Sequence, residues 1–175
     1  MVVTATARLA SELRTEDDLL AGAVLDPAPG LSPGPGARAA RGPRAQERPE
    51  EYELLMEAIY EGYLLHYGCS RLLRCRDPDL ALLAGDRLYA LGITRLVALG
   101  DVHAVAELAD VISLCALAHA SGDLDLAGAA WEAGARAVGW GTNADHRAAK
   151  EAARTGTPGS ADALRAFARG GDGAG

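Results

Sequence analysis

Residues 77–123 read DPDLALLAGDRLYALGITRLVALGDVHAVAELADVISLCALAHASGD, and this stretch decides the fold. Asp77-Pro78 joins a capping carboxylate to a proline whose missing N–H is harmless in a first helical turn. Gly100-Asp101 and Gly122-Asp123 then each close one helix and open the next. Glycine accepts the left-handed geometry of a C-terminal cap, and aspartate caps the helix that follows. The spacing predicts helices over about 78–99, 102–120 and 124–138. Connections this short make consecutive helices antiparallel neighbours.

Upstream, Pro49 opens a further helix running to about Arg74, with Glu50, Glu51 and Glu53 favoured near its positive end. Downstream, Asn143 caps a fifth helix ending near Arg154. No β-type alternation and no internal repeat is found. The expected fold is all-α, an antiparallel helical bundle of four to five core helices over residues 50–155. Residues 1–25 read as a short leader with one helix between Ala5 and Ala23. Residues 26–49 hold six of the eight prolines and read as a Pro/Gly-rich disordered linker. Residues 156–175 supply a short helix from Ser160 to Arg169 and a flexible glycine tail.

Within the opening stretch, Leu82–Gly92 sets Asp86-Arg87 into a helix that is apolar on nearly every side. Leu82, Tyr89, Ile93 and Leu96 line one side, and Leu80, Ala84, Leu88, Leu91 and Leu99 another. The polar strip is narrow: Asp86, Arg87, Thr94 and Arg95. A helix of this pattern belongs at the centre of a bundle. Its carboxylate is expected to pair with Arg87, Arg95 or an arginine of a neighbouring helix. The helix opening at Pro49 is likewise apolar around most of its circumference, and a unit of ~90 residues has limited interior, so two such helices point to burial against a homodimer partner or another helical protein.

Residues 50–140 carry fourteen Asp or Glu against six Arg, while the whole chain is at −7. That balance repels phosphate backbones and anionic lipid, so neither nucleic acid nor a membrane surface is the expected partner. No window holds ~18 uninterrupted apolar residues, so no membrane span is expected. Met1–Asp18 lacks an apolar core followed by a small-residue cleavage site, so no signal peptide is read. Three cysteines in such a chain are expected as free thiols in the cytoplasm.

The chemistry-bearing residues are few. Asp86, with Arg87, His66 and Tyr89, is the candidate ligand-binding group, a pocket-edge carboxylate among polar and aromatic neighbours. His66 and Cys69 share one helix face, as do Cys115 and His119, so convergence of the two helices would bring four zinc-type ligands together. Glu53, Glu57 and Glu61 repeat every fourth residue without the histidine that carboxylate-bridged metal bundles use, and read as a solvated acidic face. Tyr52, Tyr60, Tyr63, Tyr67 and Tyr89 read as core or dimer-seam residues, and Trp131 and Trp140 as packing at the bundle's end. Phosphate-cradling glycine loops, GxSxG and HExxH are absent from the sequence. No cofactor and no catalytic residue is therefore assigned.

Residues 80–116, LALLAGDRLYALGITRLVALGDVHAVAELADVISLCA, resemble part of the trans-polyprenyl diphosphate synthase family. The matching positions are Leu83, Gly85, Asp86 and Leu88, followed by Gly100 at the turn. The likeness is greatest to the small non-catalytic subunits of two-component synthases, which are all-helical. It implies a shortened, catalytically silent relative that binds a prenyl chain or pairs with an active synthase subunit. The family's two aspartate-rich metal motifs are missing, and Asp86 corresponds to neither. Lys150, the sole lysine, lies in no diphosphate-binding context. The expected function is a non-catalytic helical protein acting by protein–protein contact, with a prenyl-lipid or small-molecule binder and a His/Cys metal protein as alternatives.

Overall fold

Side-chain caps open four consecutive helices in the computed structural model, which describes residues 4–16, 19–28 and 30–170. The expected glycine tail at 171–175 lies outside the described residues. These hold eight α-helices: α1 (Ala5–Glu16), α2 (Pro35–Ala39), α3 (Pro49–Tyr67), α4 (Pro78–Leu99), α5 (Val102–Ser121), α6 (Leu124–Trp140), α7 (Ala144–Arg154) and α8 (Ser160–Arg169). The fold is all-α, and among the described residues extended pairing is limited to a bridge between Val24 and Leu73. Asp101 accepts from the Ala104 N–H at 3.0 Å, Asp123 from Leu126 at 3.0 Å and Asn143 from His146 at 2.8 Å. Asp77 caps α4 through the Asp79 N–H at 2.9 Å. Gly100 and Gly122 stand at φ 75° and 76°, the left-handed geometry expected of them.

α3 ends earlier than its sequence suggests, at Tyr67 rather than near Arg74. After Gly68 the chain folds back, burying Leu72 and Leu73. α3 is the watershed of the molecule. Its Leu54 and Ala58 face a cluster with Leu9, Leu13, Leu20, Leu72 and Leu88. Its Leu55, Met56 and Ile59 face a larger cluster that includes Leu96, Leu108, Leu114, Trp131 and Leu164. α6 is the second central element, with Ala129, Ala133 and Ala137 fully buried.

α4 does not occupy the centre expected for it. It buries one stripe, Ala84, Gly85, Leu88, Gly92 and Leu96, against α3. Leu82, Leu83 and Val97 remain exposed. The stripe is rich in glycine because the two backbones approach closely. A Cβ on Gly92 would lie 2.3 Å from Ile59 Cγ1 and 2.8 Å from the Leu55 carbonyl. α4 then meets α5 far less extensively than α3 meets α4 or α5 meets α6.

The described residues from 30 to 49 depart from the disordered linker that their prolines suggested. Gly36, Ala39, Gly42 and Ala45, every third residue, are buried, and α2 lies against both α3 and α6. Small side chains at that interval let a proline-interrupted segment lie close to helix backbones. The N- and C-terminal pieces are likewise part of the fold. α1 buries Leu9 and Leu13, and α8 buries Leu164 and Phe167.

Candidate functional site

Glu53, Glu57 and Glu61 stack on one face of α3, one turn apart. They do not form the solvated face expected of them: Glu57 and Glu61 are 1% and 0% exposed. Arg71 is the cause. As the chain folds back after α3, Arg71 Nη2 comes 2.5 Å from Glu57 Oε2 and Nε 2.5 Å from Glu61 Oε1. Its guanidinium also covers the Tyr60 ring at 5.0 Å.

The two carboxylates are served unequally. Glu61 Oε2 also accepts from Ser70 Oγ at 2.6 Å and from the Arg71 N–H at 2.9 Å. Among the described residues, Glu57 accepts from the Gly36 N–H at 3.2 Å on Oε1 and from Arg71 on Oε2. Burial raises the Glu57 carboxyl above the ordinary carboxylate range, outweighing the pull of Arg71. Glu57 also walls a cavity of about 370 Å³ between the start of α1, residues 27–28 and 30–34, and α3.

A second ionic cluster fastens α7 to α5. His146 Nε2 lies 2.9 Å from Glu107 Oε2, Lys150 Nζ lies 2.9 Å from the Glu107 carboxylate, and Lys150 also reaches Asp110 at 2.6 Å. Arg154 completes the set on Asp110 at 2.5 Å. Burial opposes charge on Glu107, but hydrogen bonds from His146 and Lys150 outweigh it and hold the carboxyl down to about 2. Neither cluster was assigned from sequence. Their partners lie up to 44 residues apart, and no local spacing announces them.

Of the ligand-binding group expected from sequence, the structure brings three residues together. His66 Nε2 lies 3.2 Å from Asp86 Oδ1, and the imidazole stacks on Tyr89 with ring centroids 5.2 Å apart. Gly85 makes this possible, since a Cβ there would stand 2.7 Å from His66 Nε2. Asp86 is nevertheless a surface carboxylate, with a side chain 72% exposed, rather than a buried one paired with arginine. Arg95 instead pairs with Glu12 at 2.6 Å, and Arg87 is exposed on the same helix. The three cavities described, including one over α6–α8 and one beside Arg95, are lined by neither Asp86 nor His66.

The zinc-type set does not assemble. Among the described residues no three His, Cys, Asp or Glu gather as a metal requires. His66 is turned to Asp86, and His119 stacks on Tyr67 at 4.1 Å with Nε2 3.0 Å from Tyr63 Oη. Cys115 is buried, its thiol pushed up to about 12 by desolvation, while Cys69 is exposed. The tyrosines form part of an aromatic wall closed by Trp131, whose ring meets Tyr60 edge-on at 5.0 Å.

The outer surface of α5 completes the picture. Val102, Ala106, Ala109, Ser113, Ala116 and Ala120 are all exposed and none is charged. An 18-residue window within Val102–Ser121 has a mean hydropathy of 1.4, yet only 39% of it is buried. By length and composition α5 could cross a membrane, but Glu107 and Asp110 within it are tied to α7. Compared with protein-family models, curated proteins and solved structures, the chain matches none, so the polyprenyl-synthase resemblance rests on residues 80–116 alone.

Proposed function

We propose that this chain works by protein–protein contact, and that its partner is a second copy docked across the outer faces of α5 and α4. The observation that carries this is the exposed, uncharged row Val102-Ala106-Ala109-Ser113-Ala116-Ala120 on α5. Its steps alternate four and three, so the row stays on one face of the helix along its whole length. Small side chains permit close approach, and the row is self-complementary, as a two-fold interface demands. Each copy carries a net −7, so a face without charge is where two copies meet with least repulsion. Leu82, Leu83 and Val97 of α4 and Leu117 of α5 add apolar area that a lone chain leaves in water.

Sedimentation velocity of the full chain tests the reading. The expected species has twice the 18.1 kDa chain mass. Ala109→Glu with Ala116→Glu, both at exposed positions, should give a monomer with unchanged helical circular dichroism. A wild-type monomer at every attainable concentration overturns the proposal. So does co-sedimentation with phosphatidylcholine vesicles that the double variant abolishes, which would assign the face to lipid.

A further inference from the structure

We infer that the two copies meet antiparallel, about a two-fold axis that crosses α5 at the level of Val111 and α4 at the level of Ala90. Each α5 then lies on the partner's α5, and each α4 on the partner's α4. This rests on the self-association proposed above and specifies the partner's orientation. The distribution of bulk along α5, the polarity of that helix and the spacing on α4 all point the same way.

Within the exposed α5 row, bulk is concentrated at one end. Val102 opens the row and is 76% exposed, whereas the other five positions are alanine or serine. A parallel pair would set Val102 against the partner's Val102 and hold apart two helices whose remaining positions permit close approach. An antiparallel pair sets each Val102 against the partner's Ala120, large against small, and each Ala106 against the partner's Ala116. Ala109 and Ser113 then flank the axis. The helix dipoles agree, since antiparallel pairing places the positive end of each α5 beside the negative end of the other. Asp110 lies near the axis, but Lys150 and Arg154 already neutralise it within its own chain.

α4 supplies the independent observation. Its exposed Leu83 and Val97 stand seven residues to either side of Ala90, which is itself exposed. Ala90 lies ten residues before Gly100, and Val111, at the middle of the α5 row, eleven residues after it. The two midpoints are therefore nearly equidistant from the turn that joins the helices, and one straight axis serves both. Rotation about that axis sets Leu83 against the partner's Val97. The operation that covers the α5 row thus also covers the apolar side chains that α4 leaves in water, and does so twice per dimer.

Crosslinking of the full chain tests the arrangement, in a Cys69→Ser, Cys75→Ser background that leaves only the buried Cys115. Val102→Cys and Ala120→Cys are prepared on chains of different mass and treated with a short bismaleimide, each alone and then mixed. The expected result is a covalent dimer only in the mixture, because like positions stand eighteen residues, ~27 Å, apart along an antiparallel pair. Leu83→Cys mixed with Val97→Cys should behave in the same way, and carries the test if the first pair does not fold. A covalent dimer from Val102→Cys alone overturns the inference in favour of a parallel pair. A sedimenting dimer that crosslinks in neither mixture also overturns it, as expected if α5 lies on the partner's α4. Sedimentation of the same variants separates the two levels. A monomer overturns the self-association itself, whereas a dimer crosslinked in the wrong combination overturns only its arrangement.

Discussion

Glu57 and Glu61 share one guanidinium, but their substitutions should have different consequences. Glu61→Gln leaves Ser70 Oγ, the Arg71 N–H and the Arg71 side chain facing a neutral amide in a fully buried position. Breaking such a cluster is expected to cost about 3 kcal/mol. Glu57→Gln removes a desolvated charge while Arg71 retains Glu61, so its cost should be nearer about 1 kcal/mol. Urea denaturation of the two variants measures the difference, and equal costs would contradict the unequal service described above. Glu107 offers a pH-dependent counterpart. Its carboxyl is lowered from 4.5 to about 2 on folding, so its contribution is complete above pH 4.5 and is lost as pH falls toward 2. The shift corresponds to about 3 kcal/mol. The stability gap between wild type and Glu107→Gln should therefore shrink across that window. Glu57 acts in the opposite sense, since its raised pKa means that ionising it opposes folding as pH rises.

At the scale of elements, the caps and the helix contacts make separate demands. Asp101 caps α5 and also accepts from Tyr52 Oη at 2.7 Å and Arg44 Nη2 at 2.8 Å, whereas Asp123 caps α6 through Leu126. Asp123→Ala should cost about 1 kcal/mol, the value of a cap. Asp101→Ala should cost about 2–3 kcal/mol, because two further partners lose their acceptor. Gly92→Ala tests the α3–α4 contact. Its methyl would collide with Ile59 and the Leu55 carbonyl, and overpacking of this kind costs about 1–3 kcal/mol despite alanine's better helix propensity. Thermal unfolding of each variant provides the readout. The helices from Pro78 to Arg154 were legible in sequence because Asp-Pro, Gly-Asp and Asn steps act within four residues. α2 was not, because its prolines and glycines also describe disorder. Its order depends on the backbones of α3 and α6 accepting Gly36, Ala39, Gly42 and Ala45.

Across the whole molecule, the acidic balance, the apolar α3 and α4 and the free thiols were all expected from composition and pattern, whereas the exposed apolar row of α5 was not. The proposed self-association through the α5 row is tested at this scale. In sedimentation, the double substitution on the α5 row should convert a dimer to a monomer without altering helicity, whereas Glu57→Gln should leave assembly unchanged. An all-α chain with its helix ends in these places follows from local chemistry, since capping, glycine geometry and hydrophobic periodicity operate between near neighbours. The identity of the buried residues does not follow in that way. Apolar patterning cannot distinguish α3, enclosed on most sides, from α4, which buries one stripe. Nor can it tell that Arg71 draws Glu57 and Glu61 inside, or that Glu107 meets His146 and Lys150 across 39 and 43 residues. A buried charge is tolerable only beside its partner, and partners so distant in sequence are brought together by folding alone. That is also why Asp86, the first candidate in sequence, lies at the surface while Glu57 stands in the wall of a cavity.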